Sequence, residues 1–352
     1  KQIYFISMKL IHNYQQLKRL GSGTYGTALL VKDNKDEKLY VMKQVCIAGQ
    51  PEEVQVATEL EWQLYSKLNH PHIVKYHDSF TEDTVVHIVI EYANGGDLQQ
   101  YIKKYAASNQ PIPEQQIWSI FIQLIHSLAY IHSNCIIHRD IKPANVFINS
   151  ENGKQSIKLG DFGIARQLNS QLQCTIKEAG TPLYQSPEQI NNMRYSNMVD
   201  IWAAGCILQE LCTLQRTFDS QNIAQLYCKI LQGKYENIPT TYSPELQQII
   251  NQMLSQEPKN RPSAIKILKF PIIQQKIKEI DELNQLQLIN IPDYEVFNET
   301  LIQTKTYLPN DIQKLITTIQ STKDIPTLIQ NMNDLKFILV KRYNTDTYNK
   351  LY

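Results

Sequence analysis

The sequence predicts an α+β fold in which strands come first and helices follow. Short β-rich runs, separated by glycine or charged turns, occupy the first part of the chain, whereas helical periodicity dominates from residue 98 onward. The chain has 352 residues, which is enough for one two-lobed domain with an appendage or for roughly two or three small domains.

Alternating or continuous apolar runs predict the strands. They cover residues 14–21, 28–32, 39–45 and 85–90, and a charged hairpin loop at residues 33–38 joins the second and third runs. The first run leads directly into a glycine-rich turn. These runs therefore predict an antiparallel sheet in the N-terminal part of the chain.

Apolar residues at helical spacing predict the helices. Residues 53–68 carry apolar side chains at positions 54, 57, 60, 64 and 68, and residues 98–105 form a second short stretch. Residues 114–132 form a long amphipathic stretch after Pro113, residues 199–213 are mostly apolar, and further helices extend to about residue 270. The helices are therefore concentrated in the C-terminal part of the domain.

Composition excludes several classes of protein. There are 35 Lys and Arg residues against 34 Asp and Glu residues, for a net charge of +1, so we expect neither nucleic acid nor a membrane as the main partner. The six cysteines form no C-x-x-C pair and no cluster with zinc-like spacing. We therefore expect free thiols in a reducing compartment, and a cytoplasmic protein.

A glycine-rich loop, Gly21-Ser22-Gly23-Thr24-Tyr25-Gly26, follows one predicted strand and precedes another. Glycines allow backbone N–H groups to approach phosphate oxygens closely. A plain glycine hairpin is the alternative, because G-x-G-x-x-G alone is a weak signal. A dinucleotide-binding loop would need a helix after the third glycine, whereas residues 27–31 are typical of a strand.

A lysine and a glutamate that follow the glycine-rich loop are further candidate site residues. Lys43 follows Val41 and Met42 in a predicted strand, which could direct its ammonium group at phosphates. Glu61, on the next predicted helix, could hold that lysine in position. A surface lysine is the alternative interpretation.

The stretch His138-Arg139-Asp140-Ile141-Lys142-Pro143-Ala144-Asn145 carries the strongest signal. Asp140 could accept the proton of an attacking hydroxyl, Lys142 could neutralise a transferring phosphoryl group, and Asn145 could hold Mg²⁺. Asp161, in Asp161-Phe162-Gly163, supplies a second carboxylate for the metal. We expect a hairpin between Asp140 and Asp161 to bring both to one cleft.

Three further residues predict supporting contacts in the C-terminal half. Glu188, in Ser186-Pro187-Glu188, has a candidate buried partner in Arg261, and a buried carboxylate that lacks a partner costs several kcal/mol, roughly 3–5. We expect Asp200 to cap the helix that it opens and to accept hydrogen bonds from the backbone of residues 138–140.

These motifs resemble those of eukaryotic protein kinases over residues 14–273, and most closely those of the NIMA-related family. The resemblance rests on HRDIKPANVFI at residues 138–148, LGDFGIAR at 159–166, GTPLYQSPE at 180–188 and DIWAAGCILQELCT at 200–213. It implies a bilobal fold with a β-rich N-lobe and an α-rich C-lobe, and Mg·ATP-dependent phosphorylation of Ser or Thr. The pair Lys142 and Thr181 is typical of Ser/Thr kinases rather than tyrosine kinases.

The resemblance also implies an ATP site. Lys43 would bind phosphates, Glu91 and Ala93 would offer hinge backbone to adenine, and Asp97 could reach the ribose. The loop that would cover ATP comprises Leu20, Gly21, Ser22, Gly23, Thr24, Tyr25, Gly26, Thr27 and Ala28. The side chains around the base would be Ala28, Val41 and Phe147, with Ile90 as gatekeeper. Simple burial is the alternative for Ala28, Val41 and Phe147.

Regulation departs from the family pattern. Arg139 is the kind of cation that a phosphorylated activation loop neutralises, but Lys177 occupies the usual phosphosite position. Thr175 is the nearest candidate, and an unmodified exposed threonine is the alternative. Tyr76 could block the site, as a tyrosine does in some relatives, or it could simply pack in the core.

The sequence divides into a leader at residues 1–13, a kinase domain at 14–273 and a C-terminal extension at 274–352 that we expect to be helical or partly disordered. We expect protein substrates, with self-association or a cytoskeletal partner as alternatives for the extension. The family also suggests a cilium, centrosome or nuclear location. Two alternatives to an active NIMA-related kinase are a kinase-fold scaffold and a Ser/Thr kinase of another family.

Overall fold

The computed structural model describes residues 10–23, 26–49, 66–134, 136–151, 153–161, 182–193, 195–281, 288–289 and 291. Only the last three residues of the helix predicted at residues 53–68 are among them, and nearly all of the extension after residue 281 lies outside them. By Cα proximity, residues 1–131 and 137–289 form one compact unit, and residues 132–136 and 290–352 form a second. The fold described below is that of the first unit.

The N-terminal part is an antiparallel sheet. In the described residues the strands run in the order β1-β2-β3-β4-β6-β5. Their bounds are β1 Leu10–Ile11, β2 Tyr14–Gly23, β3 Gly26–Asp33, β4 Leu39–Cys46, β5 Tyr76–Glu82 and β6 Val85–Glu91. The strands predicted at residues 14–21, 28–32, 39–45 and 85–90 are therefore confirmed, each being slightly longer than expected, while β1 and β5 were not predicted.

Alternation along β3 explains why this part of the chain forms a sheet. Leu29 and Val31 are buried on one face, where they pack with Met42 of β4 and Val89 of β6. Tyr14 of β2 closes the same apolar cluster. Burial of such side chains is the main stabilising term for the sheet, and in β6 the residues from Val86 to Ile90 are buried on both faces.

Helices form most of the C-terminal part. Their bounds in the described residues are α1 Leu98–Ser108, α2 Glu114–Ser133, α3 Pro187–Ile190, α4 Met198–Thr213, α5 Ile223–Gln232, α6 Pro244–Met253, α7 Ala264–Leu268 and α8 Pro271–Asp281. A two-stranded hairpin of β7 Val146–Glu151 and β8 Lys154–Leu159 lies among them. The predicted helices at 98–105, 114–132 and 199–213 are confirmed.

Helices α2 and α4 are buried on nearly every side. In α4 every residue from Val199 to Cys212 is buried, and a side chain at Gly205 would come within 2.9 Å of Met253 in α6. Trp202 of α4 stacks on Phe218 with ring centroids 5.7 Å apart. Helices α2 and α4 therefore form much of the core of the helical part.

Within the described residues, no helix has both the length and the apolar character needed to cross a membrane.

Candidate active site

The side chain of Asp200 in α4 holds the start of the loop at residues 138–145 in place. The buried carboxylate of Asp200 accepts hydrogen bonds from the backbone N–H groups of His138 at 2.8 Å and Arg139 at 2.9 Å. Arg139 has a left-handed backbone with φ of 67°, so these bonds stabilise a conformation that L-residues seldom adopt. The predicted contact of Asp200 with this loop is thus confirmed. The predicted cap is wrong, because α4 begins at Met198 and Asp200 lies in its first turn.

Two predicted catalytic side chains and one predicted metal ligand lie together in this loop. Lys142 Nζ donates to Asp140 Oδ2 at 2.8 Å, and Asn145 Nδ2 donates to the same oxygen at 3.0 Å and to the Asp140 carbonyl at 2.7 Å. The arrangement holds Asp140 as an acceptor with a cation beside it.

The catalytic loop is tied to the β7–β8 hairpin through His138. Its Nε2–H donates to the Gly160 carbonyl at 3.0 Å, while its Nδ1 accepts from the Asp140 backbone N–H at 3.3 Å. Burial lowers the pKa of His138, which keeps the ring neutral, as this pair of bonds requires. The Gly160 N–H also donates to the Asn145 carbonyl at 3.0 Å.

The hairpin delivers Asp161 to the same place as Lys43. Lys43 Nζ donates to Asp161 Oδ1, which joins strand β4 of the sheet to the end of β8. The Lys43 side chain is 26% exposed and that of Asp161 is 44% exposed. Burial lowers the pKa of Lys43 to about 8. At this pKa the ammonium form still predominates at neutral pH, and Asp161 supplies an adjacent anion that stabilises it.

The donor atoms suit a magnesium ion. Mg²⁺ takes oxygen ligands and is usually held by one or two carboxylates together with substrate phosphates. The described hydrogen bonds of the Asn145 side chain use Nδ2, so its Oδ1 is the atom that can ligate a cation. Asp161 supplies carboxylate oxygens close to Lys43. Asn145 and Asp161 are thus the residues that would hold the metal.

The glycine-rich turn joins β2 to β3 as a tight hairpin. Gly21 pairs with Ala28, and Gly23 pairs with Gly26. Gly26 has φ of 146°, and a Cβ there would collide with the Gln44 carbonyl of β4. Only glycine fits this close approach. A strand follows the third glycine, as predicted, which excludes the dinucleotide-binding type of loop.

The strand that ends at the predicted hinge lies beside the predicted adenine pocket. Val41 of β4 pairs with Ile90 of β6, and Ile90 is buried. The Glu91 side chain accepts from the Lys75 N–H at 3.0 Å and forms an ion pair with Lys158 at 2.8 Å. With its carboxylate committed to these partners, the backbone of Glu91 is the part that could bind adenine.

The remaining predicted ATP contacts differ in their exposure. Ala28, Val41 and Phe147 are half-buried, as is Ala93, whereas Leu20 is 43% exposed. Thr27, also half-buried, pairs with Ser22 across the glycine hairpin.

Asp97 occupies the start of α1. It forms a bridge with Phe147 and caps α1 by accepting from the Gln100 backbone N–H at 2.8 Å. A second bond, from Gln100 Nε2, also measures 2.8 Å. Its predicted contact with ribose stays a prediction.

Several predicted residues lie outside the described part of the chain. These are Glu61, Thr24, Tyr25, Thr181, Thr175 and Lys177, and only the backbone is described for Ser22 and Gly23. Tyr76 is described, and its hydroxyl donates to Ser79 Oγ at 2.7 Å within β5. The blocking role of Tyr76 stays a hypothesis.

A clamp between the hinge and β7 was not predicted from the sequence. The Gly95 N–H donates to the Ile148 carbonyl at 2.8 Å, and the Ile148 N–H donates to the Gly96 carbonyl at 2.8 Å. A Cβ at Gly95 would lie 2.7 Å from the Ile148 carbonyl oxygen. The signal was the Gly95-Gly96 pair just after the predicted hinge.

The predicted ion pair in the C-terminal half is confirmed. Arg261 Nη1 and Nη2 donate to the two oxygens of Glu188 at 2.6 and 2.8 Å, and both side chains are almost fully buried. The guanidinium group also lies 5.0 Å from the Trp202 ring centroid. This paired, bidentate geometry offsets the cost of burying the two charges.

Tyr184, two residues before Ser186, is anchored by a carboxylate. Its hydroxyl donates to Glu210 Oε2 at 2.6 Å, and burial raises the pKa of both groups. Leu183, which precedes it, is buried. These contacts fix the chain just before the Ser186-Pro187-Glu188 element.

Comparison with known proteins identifies the same domain. The family model described as "Protein kinase domain" matches residues 14–273. The chain is similar to the probable serine/threonine-protein kinase nek3 of Dictyostelium discoideum, at 44% identity over 74% of the chain and 23% of the relative. It is also similar to human serine/threonine-protein kinase Nek11, at 38% identity over 77% of the chain and 42% of the relative.

Human serine/threonine-protein kinase Nek2 is a third relative, at 37% identity over 77% of the chain and 62% of the relative. The chain thus spans less than two thirds of the length of each of these relatives. A β-sheet N-lobe and a helical C-lobe agree with the family match. The chain belongs to the protein kinase family, in its NIMA-related branch.

Proposed function

We propose that this chain is a serine/threonine protein kinase that transfers the γ-phosphoryl group of Mg·ATP to Ser or Thr hydroxyls of protein substrates. One observation carries the proposal. Asp140, Lys142 and Asn145 lie within hydrogen-bond distance of one another, and Asp161 contacts Lys43 from the opposite lobe. This is the set of groups that phosphoryl transfer requires.

The catalytic loop supplies the proton acceptor. The oxygen of the substrate hydroxyl bonds to the γ-phosphorus, and Asp140 accepts the proton of that hydroxyl. The bond from the γ-phosphorus to the leaving oxygen of ADP breaks in the same step. Lys142, 2.8 Å from Asp140 Oδ2, neutralises negative charge on the transferring group. Preorganised charge of this kind is usually the largest contribution to catalysis.

The upper lobe positions the nucleotide. Lys43 directs its ammonium group at the phosphates, and the backbone of the glycine hairpin covers them. Asn145 and Asp161 would hold magnesium, which neutralises charge on the β- and γ-phosphates when it is bound. The backbone at Glu91 and Ala93 offers hydrogen bonds to adenine.

The scaffold alternative predicts that catalytic groups are missing or dispersed. Lys43, Asp140, Asn145 and Asp161 are all retained, and their contacts favour catalysis. The other alternative, a different Ser/Thr kinase family, is disfavoured by the Nek relatives, which match about three quarters of the chain.

A peptide-array phosphorylation assay with Mg·ATP tests the proposal, with Asp140→Asn as the matched variant. Asparagine keeps the shape of the side chain but cannot accept the hydroxyl proton, so we expect kcat to fall by about 10²–10⁴-fold. The circular dichroism spectrum should not change. Equal turnover by both proteins, or no transfer by wild type under any activating condition, would contradict the proposal.

We further propose that the C-terminal extension binds a protein partner other than a substrate, either a second copy of this chain or a cytoskeletal protein. We also propose that the protein is cytoplasmic, with a ciliary, centrosomal or nuclear role. Both ideas rest on the family relation alone. Fluorescence imaging of the tagged full-length protein, with and without residues 282–352, tests them together. A diffuse signal that does not depend on the extension would contradict both.

A further inference from the structure

A short segment of the C-terminal extension, residues 288–289, lies on the back of the kinase domain; we call it the strap. A cavity of about 410 Å³ separates it from the hinge strand and the loop that precedes β5. The lining of this cavity includes His70, Lys75, Glu91 and Lys158 as well as Leu288 and Ile289. The strap is thus close to the reverse side of the predicted adenine-binding hinge.

Two buried histidines connect the strap to the domain core. His126 Nε2 lies 2.9 Å from the Ile289 carbonyl oxygen, and His126 Nδ1 lies 2.8 Å from His70 Nε2. The His72 backbone N–H donates to His70 Nδ1 at 3.0 Å. His70 and His126 are 6% and 4% exposed, so water cannot readily replace these bonds.

The chemistry of these atoms fixes where each proton lies. A carbonyl oxygen only accepts, so His126 carries its proton on Nε2 and accepts at Nδ1. His70 must then donate from Nε2, which leaves its Nδ1 to accept from the His72 N–H. Each hydrogen bond in this histidine relay has one donor and one acceptor, and both rings are neutral.

The electrostatic surroundings favour neutral rings. Burial lowers the pKa of His126 and, with contributions from His126, His72 and Lys158, lowers that of His70 to about 2. A second proton on either ring would place two donors opposite each other. His126 therefore donates from Nε2 to the Ile289 carbonyl as a neutral ring.

The other side of the cavity leads to the hinge. Glu91, whose backbone the proposed function assigns to adenine, is held from this side by the Lys75 N–H at 3.0 Å and by Lys158 Nζ at 2.8 Å. The Glu91 N–H in turn donates to the Lys75 carbonyl at 2.8 Å. The strap and the hinge thus line the same cavity.

We propose that the strap is an intramolecular docking segment, fastened to the kinase domain by the histidine relay, and that its attachment supports the hinge and strengthens ATP binding. The second part rests on the proposed kinase function, whereas the first part does not. The occupant of this surface is the chain itself, because the carbonyl of Ile289 terminates the relay.

Amide hydrogen exchange and ATP kinetics on the full chain test both parts. His126→Leu removes the donor to Ile289, while His126→Gln keeps an amide that can donate to Ile289 and accept from His70. His77→Gln, on β5, is the control for altering a histidine elsewhere. Leu288→Ser changes the strap alone, and it decides the test if His126→Leu does not fold.

For His126→Leu and Leu288→Ser we expect exchange in the peptide containing residues 288–289 to be about tenfold faster or more, as in a segment that opens locally. The KM for ATP should rise by about two- to thirtyfold with kcat unchanged, the range that coupling through a contiguous network produces. His126→Gln and His77→Gln should resemble wild type.

Unchanged exchange in folded His126→Leu and Leu288→Ser would overturn the docking of the strap. Faster exchange with an unchanged KM would overturn its coupling to the hinge. If wild type shows protected strap amides but transfers no phosphate, the proposed function fails while the docking part stands.

Discussion

At the residue scale, a buried carboxylate shapes the catalytic loop without touching any reacting group. Asp200 accepts two backbone hydrogen bonds, one from each residue that precedes Asp140. One of these residues, Arg139, has φ of 67°. A left-handed backbone conformation at a residue other than glycine costs of order 1–3 kcal/mol, and it persists only where the surrounding contacts enforce it. Asp200 supplies that enforcement.

Asp200→Ala should therefore destabilise the fold and disorder the loop together. One buried and one partly buried N–H group would lose their acceptor, so we expect the free energy of unfolding to fall by about 2–5 kcal/mol. Urea unfolding followed by tryptophan fluorescence measures this change. Asp200→Asn, which keeps one acceptor oxygen, should lose less. Equal stability of all three proteins would show that the loop is held by other contacts.

At the scale of elements, the β7–β8 hairpin connects the two halves of the site. Strand β7 begins just after Asn145 and strand β8 ends two residues before Asp161, at the same open end of the hairpin, and Gly160 bonds to both Asn145 and His138. The hinge is clamped to the same hairpin through Gly95 and Ile148. A change in the hairpin should thus reach both the metal-binding residues and the adenine-binding backbone.

Gly95→Ala tests this clamp. The new methyl group would lie 2.7 Å from the Ile148 carbonyl oxygen, so the hinge must move away from β7. We expect a loss of about 1–3 kcal/mol in the free energy of unfolding, as for other overpacked sites. Thermal unfolding measures the loss. Gly21→Ala is the matched control, because no atom lies within 4 Å of a Cβ there, and its unfolding should be unchanged.

At the scale of the whole molecule, the site exists because two lobes are held together. Lys43 belongs to the sheet and Asp161 to the hairpin below it, 118 positions later in the chain. On the far side, Lys158 of β8 pairs with Glu91 of β6. Ion pairs on both sides of the hinge thus connect the lobes, and the proposed nucleotide site lies on the Lys43 side.

Local patterns in the sequence predicted much of this arrangement. The spacing of Asp140, Asn145 and Asp161 predicted a hairpin, and β7–β8 is that hairpin. Periodicity predicted the helices because their apolar positions recur every three or four residues. The pairing of Glu188 with Arg261 followed from the cost of burying a carboxylate alone.

Other features had no local signal. Strand β5 alternates weakly and is mostly exposed or half-buried, so its pairing with β6 depends on tertiary contacts. The histidine relay joins His70, His126 and Ile289, whose separation along the chain conceals their contact. The cap of α4 was misplaced, because Asp200 satisfies loop donors rather than those of its own helix.

In the proposed mechanism, Lys43 and Asp161 act on one bound nucleotide. A double-mutant cycle with Lys43→Met and Asp161→Asn, read out as Mg·ATP affinity by calorimetry, measures this most directly. Residues that share a partner show interaction free energies of about 0.5–3 kcal/mol, and we expect a value in that range, with weaker binding in each single variant. Strictly additive effects, or single variants that bind Mg·ATP as wild type does, would contradict the account.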